Sequence, residues 1–349
     1  MDILREQTVD QVSQFSANGD PTRAKHRVVH ILNDLDVGGI KTVISSMANS
    51  RLTEHYHFSF YALSEAICVR AFRADLIMFH SASNWTSILK ILVIKILNPR
   101  ATLMIHEHHY TDAFEKNVTS KKRFRSMLKL NYALVDSVVA VSKGQGDWIR
   151  DRELLASKKL TVIPQSCLTD AFYKLPFKPF DRQLVLAAYG RFHRQKGFDI
   201  VIKAAEQLPE VRFLLGGLGP EEGPLREMSK GLANIEFCGL IKDVPRFLEG
   251  CHAVLIPSRY EPYGLVALEA RAAGKPIIVS DVDGLPEQAH SCGFVVKSEE
   301  VTELVAAINK LDKTTIKALS KYARESTIGG WDTYIDRWLA LYKKLIIET

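Results

Sequence analysis

Short apolar runs alternate with helical segments along this chain, and the alternation predicts parallel sheets covered by helices. In the first half the predicted strands are Arg27–Leu32, Phe58–Leu63, Leu76–His80, Ala101–His106, Ser137–Val141 and Leu160–Ile163. The helices predicted between them are Ile40–Asn49, Trp85–Leu97, Lys121–Leu134 and Lys143–Arg150.

The same pattern restarts after Leu175-Pro-Phe-Lys-Pro179, where two prolines and a loss of periodicity indicate a linker. The strands predicted beyond it are Leu184–Tyr189, Arg212–Leu215, Ile235–Phe237, Ala253–Ile256, Pro276–Val279 and Gly293–Val295. The later helices are Phe198–Gln207, Val301–Leu311, Thr314–Ser326 and Trp331–Ile346. This order predicts two doubly wound α/β halves facing a cleft, with ligands beyond the carboxyl ends of the strands.

The chain therefore divides into four parts: a polar extension (1–25), an N-terminal half (26–175), a C-terminal half (176–328) and a last helix (329–349). The last helix has an aromatic face formed by Trp331, Tyr334, Trp338, Leu341 and Tyr342. We expect this face to pack back against the N-terminal half.

Composition excludes several classes of protein. The 349 residues are 46% hydrophobic and 25% charged, as in a globular protein. The five cysteines are scattered and the N-terminus has no apolar signal core, which favours a reducing cytoplasm. The most apolar segment, Ile88–Leu97, is too short to span a membrane and predicts a buried helix packed on a sheet. The net charge of +6 weakly favours an anionic partner.

The segment Glu261-Pro-Tyr-Gly-Leu-Val-Ala-Leu-Glu269 places carboxylates on either side of the start of an apolar helix that begins after a glycine. The free amides and positive dipole end of a helix start suit a phosphate, whereas carboxylates accept hydrogen bonds from hydroxyl groups. The arrangement is complementary to a nucleotide sugar, in which a diphosphate lies between two polyols.

A second candidate, Gly190-Arg-Phe-His-Arg-Gln-Lys-Gly197, follows a predicted strand and precedes a helix. Arg191 and Lys196 are expected to face the cleft, where two cations would stabilise a departing diphosphate. A solvated basic loop is the alternative for this segment taken alone.

These motifs belong to an ordered series. Gly217-Leu-Gly219-Pro220 lies between them, and Gly274-Lys-Pro276, Gly284-Leu-Pro-Glu287 and Gly293-Phe-Val-Val296 follow them. The series resembles the retaining glycosyltransferases of family 4, which have the two-Rossmann GT-B fold. The resemblance is close in the C-terminal half and looser in the first half, where it depends on Gly38-Gly39 and His106.

The resemblance implies an enzyme that moves a sugar from a nucleotide-diphosphate donor to an acceptor hydroxyl, with retention of configuration. Catalysis is expected from His106, Arg191, Lys196 and Glu261. The donor-binding residues it implies are Gly38, Gly39, Arg191, Lys196, Gly217, Glu261, Gly264, Leu265, Val266 and Glu269. Within this set, Glu261 matches the carboxylate that binds the donor sugar, and Glu269 the one that binds the ribose. No cofactor beyond the co-substrate is expected.

His106-Glu-His-His-Tyr110 places three histidines and an acid at a predicted strand end. Contact of His106, Glu107 or His108 with sugar or acceptor is one interpretation, and a metal site is another. Because neighbouring side chains on a strand point in opposite directions, we expect no metal here. We also interpret the triplets Asp34-Leu-Asp36 and Asp281-Val-Asp283 as ordinary strand-end acids and predict a metal-independent reaction.

The basic segment Lys116–Lys129 is interleaved with apolar residues. It is typical either of a helix lying on anionic lipid or of an ordinary amphipathic helix with a solvated basic face. The first alternative predicts a cytoplasmic protein bound peripherally to the inner face of a membrane, which suits a saccharide or lipid-linked acceptor in bacterial surface polysaccharide or glycolipid assembly.

Two other functions stay open on the sequence: a nucleotide-sugar epimerase of the same architecture, and a non-catalytic partner that binds sugar nucleotides. No nucleic-acid-binding module is evident.

Overall fold

The computed structural model describes residues 25–32, 39–66, 71–177 and 183–347, which form two six-stranded parallel sheets. The strands of the first sheet are β1 (His26–Leu32), β2 (Tyr56–Ala62), β3 (Leu76–Phe79), β4 (Thr102–Glu107), β5 (Ser137–Ala140) and β6 (Leu160–Val162). The helices around it are α1 (Gly39–Met47), α2 (Leu63–Ala66), α3 (Trp85–Leu97), α4 (Asp112–Lys116), α5 (Lys121–Leu134), α6 (Lys143–Asp151) and α7 (Asp170–Tyr173).

The second sheet contains β7 (Val185–Tyr189), β8 (Arg212–Gly216), β9 (Ile235–Gly239), β10 (Ala253–Ile256), β11 (Ile277–Ser280) and β12 (Gly293–Val296). Its helices are α8 (Phe198–Gln207), α9 (Glu222–Met228), α10 (Val244–Glu249), α11 (Leu265–Ala272), α12 (Pro286–Ala289), α13 (Val301–Ile308) and α14 (Lys313–Glu325), followed by α15 (Gly330–Ile347). The predicted pair of doubly wound α/β halves is confirmed.

The strand order locates the expected binding points. The sheets read β2-β1-β3-β4-β5-β6 and β12-β11-β10-β7-β8-β9. In each sheet the chain first moves outward in one direction and then returns to the other side of its first strand. Ligands of such sheets bind beyond the carboxyl ends of the two strands that flank this reversal. These are β1 and β3 in the first sheet, and β7 and β10 in the second.

The last helix, α15, packs on the first sheet through the aromatic face seen in the sequence. The rings of Tyr342 and Tyr56 lie 5.2 Å apart, and Trp338 meets the ring of His106 at 4.9 Å. Trp338 and Tyr342 are fully buried in this contact. The chain thus crosses from the second half back to the first, and the contact fixes α15 beside the carboxyl end of β4.

The structure corrects the prediction for Ile88–Leu97. Helix α3 buries Ser87, Ile91 and Ile94 against the sheet, but its outer face is also apolar and is exposed. Leu89 and Ile96 are 65% and 67% exposed. This exposure could not be predicted from the sequence, because a helix that is apolar all round is usually buried on all sides. Over the ranges that the structure describes, no helix is long and apolar enough to cross a bilayer.

Candidate active site

The predicted motifs of the second half meet at the carboxyl ends of β7 and β10. A small cavity lies there, and it is lined by Ala188, Tyr189, Lys196, Phe198, Leu255, Ile256, Pro257, Ser258 and Val266. The segment after β7 carries Arg191 and Lys196, and the segment after β10 carries Glu261. Two pieces of chain far apart in sequence therefore come together where the strand order reverses.

Lys196 and Glu261 form an ion pair. The Glu261 carboxylate is buried, and its Oε2 also accepts a hydrogen bond from the Ser258 hydroxyl at 3.1 Å. Lys196 lies in a 3-10 turn, Arg194–Lys196, that ends at Gly197. A Cβ on Gly197 would lie 2.1 Å from the carbonyl oxygen of Pro257, so only glycine lets the two loops approach this closely. Arg191 lies at the exposed rim.

Gly264 begins α11 in the left-handed conformation, with φ of 91°. A Cβ there would lie 2.8 Å from Leu285 Cδ2 and 3.1 Å from Glu261 Cγ. The glycine therefore brings the helix start against the Glu261 side chain. Leu265 and Val266 provide the first amides of α11, which have no acceptor one turn earlier in the helix. Free amides and a dipole end next to a cation and a carboxylate can hold a phosphate and a hydroxyl group side by side.

Gly217 supports this arrangement from β8. Its φ is 147°, and a Cβ would lie 1.9 Å from the carbonyl oxygen of Gly190. Its amide donates to the carbonyl oxygen of Gly239 at 2.7 Å. Gly217 is therefore packed tightly against the turn at Gly190, where a larger residue would not fit. Its contact with a donor stays a prediction.

Glu269, one turn further along α11, accepts a hydrogen bond from the Tyr189 hydroxyl at 2.7 Å. Burial raises the pKa of Glu269 to about 7, against the lowering effect of that hydrogen bond. Burial and the neighbouring Glu269 raise the pKa of Cys167 to about 12. Glu269 is therefore a carboxyl group that changes protonation near neutral pH. The sequence offered no sign that Tyr189 would be its partner.

Asp283 is a residue whose role the sequence analysis missed. Its Oδ1 accepts from the amide of Ala113 at 3.0 Å, and its Oδ2 accepts from the amide of Glu261 at 2.9 Å. It therefore joins the N-terminal half to the Glu261 loop, and burial raises its pKa. Asp281 Oδ1 accepts from the amide of Ser298 at 2.8 Å. The other predicted triplet, Asp34-Leu-Asp36, lies outside the described residues.

Two further contacts join the N-terminal and C-terminal halves beside Asp283. Glu287 Oε2 accepts from the amide of Lys143 at 3.0 Å, at the start of α6. The rings of Phe114 and Tyr260 meet edge to face at 5.3 Å. The site of the second half therefore lies against the helix starts of the first.

The histidines of the first half form a chain across the carboxyl ends of β1, β3 and β4. His30 Nδ1 lies 2.8 Å from His80 Nε2, and His80 Nδ1 lies 3.1 Å from His108 Nε2. The rings of His106 and His108 are 3.9 Å apart. Burial lowers the pKa of His30 and of His106 to about 3, so these rings are neutral at physiological pH.

His106 is 1% exposed, and neither ring nitrogen has a hydrogen-bond partner among the described residues. The ligand nitrogens of His80, His106 and His108 lie within 4.8 Å of one another. Our argument from strand alternation against convergence was therefore wrong. It holds for adjacent residues, but His106 and His108 share one face of the chain. His80 joins them from the end of the neighbouring strand.

Other predicted residues of the first half have different surroundings. Glu107 Oε2 accepts from the Tyr132 hydroxyl at 2.8 Å, and its Oε1 accepts from the amide of His109 at 2.9 Å. These contacts order the loop after β4, and contact of Glu107 with an acceptor stays a prediction. Gly38 lies outside the described residues, and Gly39 is the first residue of α1.

Similar proteins are found for both the sequence and the structure. Residues 174–326 match the family described as "Glycosyl transferases group 1". A D-inositol 3-phosphate glycosyltransferase from Mycobacterium marinum (strain ATCC BAA-535 / M) is 31% identical over 201 residues. The match covers 49% of this chain and 43% of that protein, so the chain spans less than half of the relative's length.

Two solved structures share the whole architecture. Sucrose-phosphate synthase from Thermosynechococcus elongatus has a TM-score of 0.76 at 20% identity, over 93% of this chain and 100% of that one. Anabaena Alr3699/HepE in complex with UDP has a TM-score of 0.71 at 18% identity, over 90% and 99%. At such identities the likeness shows the fold, which is the expected GT-B arrangement. The family match, residues 174–326, spans the segments that carry Lys196, Glu261 and Glu269.

Proposed function

We propose that the protein is a retaining, metal-independent glycosyltransferase that moves a sugar from a nucleotide-diphosphate sugar to an acceptor hydroxyl. The observation that carries the proposal is the meeting of Lys196, Glu261 and the start of α11 at the reversal of the second sheet. The similar fold of Anabaena Alr3699/HepE, which is described in complex with UDP, supports a nucleotide donor.

In this proposal each end of the donor has its own contacts. Glu269, held by the Tyr189 hydroxyl, accepts hydrogen bonds from the ribose. Lys196, Arg191 and the first amides of α11 bind the diphosphate, while Glu261 accepts from hydroxyls of the sugar. When Lys196 turns to the diphosphate, Ser258 still orients the Glu261 carboxylate.

The chemical step breaks the bond between the sugar C1 and the diphosphate oxygen and forms a bond from C1 to the acceptor oxygen. The acceptor proton passes to the departing phosphate oxygen, and the broken and the new bond at C1 lie on the same face of the sugar. The side chains act by stabilising the negative charge that builds on the diphosphate. We assign no nucleophilic side chain.

The first half would hold the acceptor. We propose a saccharide or lipid-linked acceptor of surface polysaccharide or glycolipid assembly, with the basic segment Lys116–Lys129 near a membrane. The two ring nitrogens of His106, which have no hydrogen-bond partner among the described residues, are the atoms that would meet a sugar hydroxyl in this proposal.

A thermal-shift panel of nucleotide sugars, followed by mass spectrometry of the products, tests the proposal. Only a true donor should raise the unfolding temperature markedly, because binding stabilises the folded state by mass action. With donor alone, a transferase should give slow hydrolysis to free sugar and nucleotide. Formation of an isomeric nucleotide sugar instead would establish an epimerase.

A further inference from the structure

We infer that helices α3 and α5 form a surface that docks on an anionic lipid bilayer, with α3 inserting its outer apolar face. The inference deepens the proposed function, since it specifies how a lipid-linked acceptor would be reached. It depends on two helices that the site described above does not use.

The apolar part of this surface is a stripe along α3. Trp85, Leu89, Leu92 and Ile96 recur at the spacing of one helical face and are 46%, 65%, 39% and 67% exposed. The stripe is about 16 Å long, from the rise of an α-helix. Leu97 and Leu130, at 40% and 49%, extend it. Large apolar side chains exposed side by side mark an interaction surface, whereas single ones are common.

Helix α5 lies beside this stripe and carries the positive charge. The Ser87 hydroxyl donates to Asn131 Oδ1 at 2.6 Å, and Lys95 Nζ donates to the carbonyl oxygen of Leu134 at 2.7 Å. The Arg123 guanidinium stands 5.7 Å from the centre of the Trp85 ring. The two helices therefore run side by side, and Arg123 of the basic helix lies next to Trp85 of the apolar stripe.

The charge balance of the two helices identifies the partner. They contain seven cations and no carboxylate, more than the net charge of +6 of the whole chain. Two basic residues of the segment Lys116–Lys129 are committed elsewhere. Lys116 pairs with Asp112, and Arg125 pairs with the buried Glu115. The exposed cations are Lys121, Lys122, Arg123 and Lys129.

An apolar stripe bordered by lysine and arginine, with an aromatic residue at its edge, has the features of a helix lying in the interface of an anionic bilayer. A second copy of the chain fits poorly. A symmetric contact would set these cations against their own copies, and the two helices offer no carboxylate to pair with them.

The position of the surface suits an acceptor anchored in lipid. Helix α3 begins after the carboxyl end of β3, and α5 begins beyond that of β4. Trp85 and Arg123 therefore lie at the cleft end of the surface. A bilayer at α3 and α5 would present its headgroups beside the opening between the halves.

Sedimentation with vesicles tests the inference on the full chain, without donor or acceptor. The vesicles contain phosphatidylcholine alone or phosphatidylcholine with phosphatidylglycerol. We expect binding to the anionic vesicles, weakened by salt, and a loss of at least about tenfold in affinity for Leu89→Ser/Ile96→Ser, because two inserted apolar side chains are removed. A matched control, Leu240→Ser/Ile328→Ser, removes side chains that are 60% and 68% exposed on the other half and should bind like the parent protein.

Fluorescence of Trp85 gives a second measurement. A blue shift on anionic vesicles should vanish in Trp85→Phe. The emission of the other three tryptophans should not shift, because Trp148 and Trp338 are buried and Trp331 is packed on Tyr334 of α15. Absence of vesicle binding by the parent chain, or equal losses in both double variants, would overturn the inference. So would a change of oligomeric state in Leu89→Ser/Ile96→Ser without a change in vesicle affinity. Because no sugar transfer is measured, failure here leaves the proposed transferase activity untouched.

Discussion

The two sheets place polar clusters at equivalent points, but the clusters differ in charge. Between β7 and β10 the cluster contains an ion pair, Lys196 with Glu261. At the carboxyl ends of β1, β3 and β4 they are neutral imidazoles, because burial lowers the pKa of His30 and of His106 to about 3. A charged cluster can hold a diphosphate, whereas a neutral, buried cluster can hold only uncharged groups or a metal ion. In the proposed reaction, the second half would therefore bind the diphosphate of the donor and the first half the uncharged acceptor.

The largest expected effect comes from removing the charge of the second cluster. Lys196→Ala should lower turnover by about 10²-fold or more, as for the loss of other groups that stabilise transition-state charge. Lys230→Ala is the matched control, because Lys230 belongs to the same half and pairs with Glu227 on the surface at 2.6 Å. Steady-state kinetics with the donor found in the panel would measure both.

The control should keep the parent rate. A Lys196→Ala enzyme as active as Lys230→Ala would remove the basis for placing the diphosphate at the second cluster. Unfolding temperatures of both variants separate loss of activity from loss of folding, since the change leaves Glu261 without its cationic partner.

These two clusters were not equally accessible from the sequence. Lys196, Glu261 and Gly264 could be found because each lies in a short motif where a glycine fixes the backbone and a charge supplies chemistry. Asp283 has the sequence context of an ordinary strand-end acid. Its role could not be predicted, because it depends on a hydrogen bond from the amide of Ala113 in the other half. The histidine cluster could not be predicted from the His106–Tyr110 segment alone, because it also includes His30 of β1 and His80 at the end of β3. The exposed face of α3 has the composition of a buried helix, so no local pattern distinguishes the two.

A smaller effect is expected from pH at Glu269. Its raised pKa of about 7 means that the carboxylate able to accept from the ribose exists mainly above that pH. The value of kcat/KM for the donor should fall below pH 7, toward about tenfold per pH unit for a single proton. Glu269→Gln should give a lower but flat profile. Cys167 and Tyr189 do not titrate in this window, because their pKa values are raised further.

Stability of the unliganded protein should change in the opposite sense. Since the folded state raises the pKa of Glu269, it holds a proton that the unfolded chain has lost between about pH 4.5 and pH 7. The contribution of Glu269 to the free energy of unfolding is therefore present at the acidic end and is lost as pH rises through that window. Denaturant titrations of the parent and Glu269→Gln at several pH values would show the difference. Parallel pH profiles for the two proteins would mean that Glu269 is not desolvated.

A further prediction, for the neutral histidine cluster, is that stability and activity change in opposite directions. His106→Leu removes two buried ring nitrogens that have no partner among the described residues, and should stabilise the fold by about 1–3 kcal/mol. The same change should slow sugar transfer if His106 meets a hydroxyl group. His109→Leu is the control, since its Nε2 lies 3.2 Å from the carbonyl oxygen of His80 and its loss should not stabilise. Destabilisation in both variants would show that His106 has a partner in solution.

The smallest expected effect concerns metal. Among the described residues, His80, His106 and His108 bring ligand nitrogens close enough for an ion, yet the proposed reaction draws its charge stabilisation from Lys196 and α11. Prolonged dialysis against a chelator should therefore leave the turnover and the unfolding temperature unchanged. Metal analysis of the dialysed and undialysed protein is the accompanying measurement. If chelation instead lowers both, and His106→Leu reproduces the loss, the first cluster holds an ion. The contrast between the halves would then be between two charged sites.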